Sequence, residues 1–111
     1  MKYLAPSYRE DSSILERTKM NYIKVEWMHS CPDDPVLLYS ELDADRLEKR
    51  KVEVFRGGRC GYASAAESSG STRLGEEPIP SLAEIASDPQ FKPVEITKQE
   101  FEDAWNHRKS G

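Results

Sequence analysis

The stretch VEVFRGGRCGYA, residues 52–63, sets two adjacent glycines between two runs of β-forming residues. A glycine pair tolerates the positive φ angles of a primed turn, so this stretch predicts a tight antiparallel hairpin about Gly57-Gly58. On that register Arg56 faces Arg59, Phe55 faces Cys60, Val54 faces Gly61, Glu53 faces Tyr62 and Val52 faces Ala63. Val52, Val54 and Ala63 then point to a core, and Gly61 leaves room for a large neighbour such as Trp27. Phe55, Cys60 and Tyr62 fall on the opposite face, an apolar group that needs cover of its own.

The flanking segments extend the hairpin into a sheet. From Tyr22 to His29 the chain alternates, with Ile23, Val25 and Trp27 on one side and Lys24 and Glu26 on the other, the pattern of a half-buried strand. Pro32, Asp33, Asp34 and Pro35 interrupt it, Val36 to Leu42 resumes β character, and the turn Asp43-Ala44-Asp45 leads into a third strand over Arg46 to Phe55. Residues 64–72 are small, polar and glycine-bearing, which reads as a flexible loop. Ser81-Leu82-Ala83-Glu84 and Thr97-Lys98-Gln99-Glu100 each match the capping box that opens a helix. Leu82, Ile85 and Ala86 share a face of the first helix, which Asp88-Pro89 stops. In the second, Ile96 and Phe101 take the staple positions, and Phe101, Ala104, Trp105 and Arg108 share a face. The expected fold is α+β: a four-stranded antiparallel meander followed by two C-terminal helices packed on one side of it. Residues 1–19 lack a sustained apolar period and read as a flexible N-terminal extension, which leaves residues 20–111 as a single domain.

A chain of 111 residues is one domain by size. Its 37% hydrophobic and 32% charged residues are the balance of a soluble globular protein. No apolar run approaches membrane-spanning length, and Arg9, Glu10 and Asp11 stand where a secretory signal needs its apolar segment, so the expected location is cytoplasmic. In a reducing compartment Cys31 and Cys60 are read as free thiols. The net charge of -4 is matched by the eight acids and four bases of residues 76–111, a surface that repels phosphate backbones. Arg46, Lys49, Arg50 and Lys51, interleaved with Glu48 and Glu53, read as a solvated strand face rather than a nucleic-acid stripe.

Candidate chemistry is sparse. In EWMHSCPDDPVLLY, His29 and Cys31 leave the same side of an extended chain, and a histidine beside a thiol can generate a nucleophilic thiolate. An orienting group and oxyanion donors are missing, so this Cys/His pair, as a hydrolase or transferase, stands second to a turn carrying a surface thiol. His29, Cys31, Cys60 and His107 lack the paired spacing of a zinc site, and the aspartates lack a calcium loop, so no metal and no cofactor is expected. Gly70-Ser71-Thr72-Arg73 offers a loop for an anion or nucleotide without the strand and helix that usually frame one. The leading expectation is a non-enzymatic protein-binding module, such as an immunity-type inhibitor of a basic partner. Its anchors would be Phe55, Tyr62 and Tyr39 on the sheet, with Arg73 beside them.

The blocks NYIKVEWMHSCPDDPVLLYSELD, RKVEVFRGGRCGYA, TRLGEEPIPSLAEIASD and ITKQEFEDAW together resemble an uncharacterised family of small bacterial single-domain proteins, over residues 20–106. The resemblance implies a bacterial source and an independently folding unit, and assigns no activity, cofactor or catalytic residue.

Overall fold

The computed structural model describes residues 19–109; apart from Lys19, the extension expected over residues 1–19 lies outside the described residues. The elements run β1 (Asn21–Trp27), β2 (Leu37–Leu42), β3 (Glu48–Val54), β4 (Cys60–Ser64), α1 (Leu82–Ala86), β5 (Phe91–Glu95) and α2 (Lys98–Asn106). All strand pairs are antiparallel, in the order β4-β3-β2-β1-β5. The first four strands make the expected meander, and β5 corrects the count to five. Pro93 hides this strand from sequence reading, because proline argues against a ladder position. The pairing removes the conflict: Ile96 N–H donates to the Tyr22 carbonyl at 2.9 Å and Met28 N–H to that of Gln90 at 2.8 Å. Residues 92 and 94, in step with 90 and 96, therefore turn their backbone towards β1, while Phe91, Pro93 and Glu95 turn theirs outward. Proline forfeits no ladder bond there and blunts the outer edge of the sheet.

The hairpin register differs by one residue from the expected one. Val54 pairs with Cys60, Glu53 with Gly61 and Val52 with Tyr62. Phe55 N–H donates to the Arg59 carbonyl at 2.8 Å and Gly58 N–H to the Phe55 carbonyl at 2.9 Å, so the loop has three residues, Arg56-Gly57-Gly58. Both glycines are needed, at φ 101° and 97°. Because strand side chains alternate, the one-residue slip sends Phe55 to the face opposite Tyr62. The space at Gly61 is also taken differently: a Cβ there would collide with the Thr72 hydroxyl, not with Trp27.

The two helices cover opposite faces of the sheet, a second correction. Tyr22 packs with Ile96 and Phe101, joined by Tyr39 and Trp105 of the α2 face. Its neighbour Ile23 packs with Val25 and Leu42, joined by Leu38, Ile79, Leu82, Ile85 and Phe91. Adjacent residues of one strand point to opposite faces, so α1 lies against one face and α2 against the other. The capping boxes form as expected, with Ser81 and Glu84 on α1 and Thr97 and Glu100 on α2. Phe101 is fully buried, a contribution of about 2–3 kcal/mol for a side chain of that size. No side chain of α1 is fully buried.

A β-bulge between β2 and β3 redirects Glu48. Glu41 pairs with Arg50, but Leu42 pairs with Glu48, so Lys49 is skipped. The skip turns Glu48 to the same face as Lys51, where regular alternation would have sent it to the other side. Residues 64–72, expected as a flexible loop, instead tie down the outer edge of β4. Ser69 N–H donates to the Tyr62 carbonyl at 2.9 Å, its hydroxyl accepts from Tyr62 N–H at 3.0 Å, and Ala63 bridges to Ser68. Among the described residues, no helix is long and apolar enough to cross a membrane.

Candidate functional site

Between the α1 face of the sheet and α1 itself runs an open trough of about 640 Å³, within the usual size range of ligand sites. Trp27, Leu38, Phe55, Ile79, Ile85 and Phe91 supply its apolar walls, and all six are only half-buried. Sequence periodicity places Trp27 here, pairing with Val25 adds Leu38, the hairpin slip adds Phe55, and β5 adds Phe91. The trough stays open because α1 has five residues and presents only Leu82 and Ile85 to the sheet.

One part of the trough is polar and tightly bonded. Glu48 is buried, and its carboxylate accepts from Gly75 N–H at 2.7 Å and the Ser40 hydroxyl at 3.2 Å, with Lys51 Nζ at 3.3 Å. Lys51 also donates to the Arg73 carbonyl at 3.0 Å, and Glu53 accepts from the Thr72 hydroxyl at 2.9 Å. These bonds moor residues 72–75 over β3. Arg46 moors the next stretch: its Nε donates to the Ile79 carbonyl at 2.8 Å and its Nη2 to that of Pro80 at 2.7 Å. Arg46 holds this position at φ 64°, a left-handed backbone that is uncommon for arginine.

Charge in the trough is one-sided. Among the described residues Asp33, Asp34, Glu48, Glu53, Glu84 and Asp88 line it, against Lys51 and the Arg59 guanidinium lying over Phe55. A cleft of one sign with low-dielectric walls concentrates ligands of the opposite sign.

The residues singled out from sequence do not gather at one site. Phe55 lines the trough, with the Arg59 guanidinium over its ring at 4.1 Å. Tyr62 lies on the other face, edge-on to Trp105 at 6.0 Å and beneath the Arg108 guanidinium at 5.0 Å. Tyr39 packs into the core of that same face. The shared aromatic surface of Phe55 and Tyr62 therefore does not exist, because α2 covers Tyr62 and the slipped register separates the pair. Arg73 Nη1 donates to the Thr72 and Gly70 carbonyls at 2.8 and 3.0 Å, closing its own loop.

His29 and Cys31 form a turn rather than a nucleophile and its base. Cys31 N–H donates to His29 Nδ1 at 3.0 Å, which leaves the proton on Nε2, and Nε2 donates to the Pro35 carbonyl at 2.8 Å. Both ring nitrogens are spent on holding residues 29–35, and the ring packs on Trp27 at 4.5 Å. The thiol of Cys31 is exposed and that of Cys60 half-buried, both free. Burial pushes the Cys60 thiol up, away from thiolate character.

Of the basic run, Lys49 is exposed, Arg46 and Lys51 serve the trough side, and Arg50 is engaged on the α2 face. Arg50 donates to both oxygens of Glu41 at 2.7 and 2.8 Å, and to Glu102 at 2.6 Å. Its guanidinium lies 4.9 Å from the Phe101 ring centre and 5.1 Å from that of Trp105. Hydrogen bonding to the two carboxylates raises the Arg50 pKa still further, and the same contact lowers that of Glu102. Burial and the neighbouring Glu41 carboxylate raise the Tyr22 phenol. This cluster fastens α2 to the sheet.

Sequence reasoning missed Glu48, Lys51 and Glu53 as a group, since only the bulge brings Glu48 to their side. It also missed Phe91 as a trough wall, because Pro93 conceals β5. A family model described as a domain of unknown function (DUF6881) matches residues 21–110, and the chain belongs to that family. No curated protein and no solved structure matches it.

Proposed function

We propose that this member of the family is a non-enzymatic binding module that holds a basic region of a protein partner in the trough between the sheet and α1. The observation that supports the reading is the combination of apolar walls left half-exposed by α1 with six carboxylates against two engaged bases, Lys51 and Arg59, among the described residues. Contiguous apolar surface that a fold leaves uncovered marks an interaction site, and the acidic rim favours a cationic partner over a phosphate-bearing one. The reading takes in an immunity-type inhibitor of a basic protein, acting in the bacterial cytoplasm and engaging neither nucleic acid nor membrane.

The test is affinity capture from the native lysate with the full chain as bait, beside a Leu38→Ala, Phe55→Ala variant whose folding is checked by circular dichroism. A partner retained by the parent chain, released by salt and lost with the variant is the expected result. Retention that survives the variant would overturn the reading. Cys31→Ser should leave retention unchanged, and a hydrolytic activity that disappears with that substitution would favour a thiol enzyme instead.

A further inference from the structure

We infer that the occupant of the trough is an extended strand of the partner bearing an apolar side chain and, two residues away, an arginine or lysine. The apolar side chain would sit against Leu38, Ile85 and Phe91, and the cation beside Trp27, Asp33 and Asp34. This rests on the binding-module reading and specifies the ligand.

The acids of the trough divide by whether the fold already uses them. Glu48 has three partners, Glu53 accepts from Thr72, Glu84 closes the capping box of α1, and Asp88 accepts from Gln90 N–H. Asp33 and Asp34 carry no side-chain hydrogen bond or ion pair to any described residue, yet both line the trough. Trp27 N–H donates to the Val36 carbonyl at 2.9 Å, and His29 ties to Pro35 at 2.8 Å. These bonds fold the Asp33-Asp34 turn back beside Trp27 at the end of β1. A cation entering there meets two uncommitted carboxylates and an aromatic ring. Arg59 already covers Phe55 at 4.1 Å, and of the two remaining rings, which pack together at 5.6 Å, Phe91 belongs to the apolar wall and the one beside Asp33 and Asp34 is Trp27. Its indole N–H is held by Gln90 at 3.1 Å, so the ring is oriented in advance.

The mode of binding follows from the edges of the sheet. Pro93 blunts β5, and residues 67–69 cover β4 at Tyr62 and Ser64, so among the described residues neither edge offers a partner strand an unbroken ladder. The strand must cross the trough face and bind through its side chains. In an extended chain, side chains two residues apart leave the same side at a separation of about 7 Å, which lets one strand fill the apolar wall and the acidic end together.

Nuclear magnetic resonance on the 15N-labelled full chain tests this with a built-in control, because Trp27 lies in the trough and Trp105 on the opposite face. The probes are the acetylated, amidated peptide Gly-Leu-Ser-Arg-Gly, versions with Glu for Arg or Ser for Leu, and a peptide of residues 2–19 of this chain. The first should move the Trp27 indole signal and leave that of Trp105 in place. Affinity should fall about tenfold with either replacement, and about tenfold for a protein carrying Asp33→Asn and Asp34→Asn. An unmoved Trp105 signal shows that this variant is folded.

Equal binding of the Glu peptide, unchanged affinity of the double variant, or joint movement of both indoles would overturn the inference. Preference for the residue 2–19 peptide would make the occupant a segment of this chain. A Trp27 signal that moves with protein concentration alone would make it a second copy, and either result overturns the proposal. If no basic peptide moves Trp27 while a lysate partner still depends on Leu38 and Phe55, this inference fails and the binding-module reading stands. Failure of both experiments removes both.

Discussion

Glu48 concentrates the physics of this fold in one side chain. It is a buried carboxylate with a backbone N–H, a hydroxyl and an ammonium around it, and those partners are what make burial of the charge tolerable. Glu48→Gln keeps the shape but removes the negative charge that the Lys51 ammonium faces at 3.3 Å. It should lower unfolding free energy by about 1–3 kcal/mol in urea titration, and a loss under about 0.5 kcal/mol would mean that residues 72–75 are not moored by this carboxylate. Arg46 pulls in two directions. Arg46→Gly relieves the left-handed backbone but removes both guanidinium bonds to the 79–80 carbonyls. Net destabilisation by about 1 kcal/mol is expected, because hydrogen bonds from a charged donor outweigh the strain at one residue; a more stable glycine variant in thermal melts would show the reverse order. Neither role is legible in the sequence. Arg46 and Glu48 read as members of a mixed-charge strand, and the backbone groups they hold at Ile79 and Gly75 lie 33 and 27 residues away, in segments with no pattern of their own. His29 is different: its spacing from Cys31 is visible, but both ring bonds go to backbone atoms, which carry no sequence signal.

At the level of elements, local signals are reliable where one segment decides the outcome. Ser81 with Glu84, and Thr97 with Glu100, start their helices as the capping boxes require. Sequence reading fails where two segments must agree. Gly57-Gly58 announces a hairpin, but loop length sets the register, and one extra loop residue moves Phe55 across the sheet. Pro93 conceals β5 because its outward backbone depends on pairing with β1. The docking of α2 yields a pH prediction. Hydrogen bonding to Arg50 holds the Glu102 carboxyl below the ordinary carboxylate range. A lowered pKa means that the folded state favours the charged form. The stabilisation is therefore complete above the unfolded carboxylate pKa and is lost as pH falls through the lower folded value. Unfolding free energy should decline from about pH 5 downward, with Glu67 adding in the same direction through Lys109 and Arg108. Glu102→Gln should flatten that decline in urea titrations between about pH 5 and pH 2, and an unchanged slope would show that other carboxylates govern the acid transition.

For the whole molecule, the decisive feature is that one sheet serves two unequal faces. The α2 face is closed over its centre by the helix: Phe101 is fully buried, half-buried Trp105 lies between Arg50 and Arg108, and Arg50 is clamped by two carboxylates. Opposite it, a five-residue helix leaves apolar walls half-exposed. The sequence pattern anticipates apolar residues on both faces but not how unequally they are covered, since that depends on the length of α1 and on the return of β5. The asymmetry separates stability from binding. Glu48 and Glu102 sit on opposite sides of the sheet with no partner in common, and their costs should add. The double variant Glu48→Gln, Glu102→Gln should lose the sum of the single losses to within about 0.5 kcal/mol at neutral pH. A larger coupling would mean that Arg50 and Lys51, adjacent on β3, transmit strain through the strand. Binding should separate in the same way: Leu38→Ala removes a trough wall and weakens capture, whereas Glu102→Gln lowers stability and leaves capture intact. If Glu102→Gln weakened partner retention as strongly as Leu38→Ala while the protein stayed folded, the two faces would not be independent, and the α2 face would belong to the binding surface.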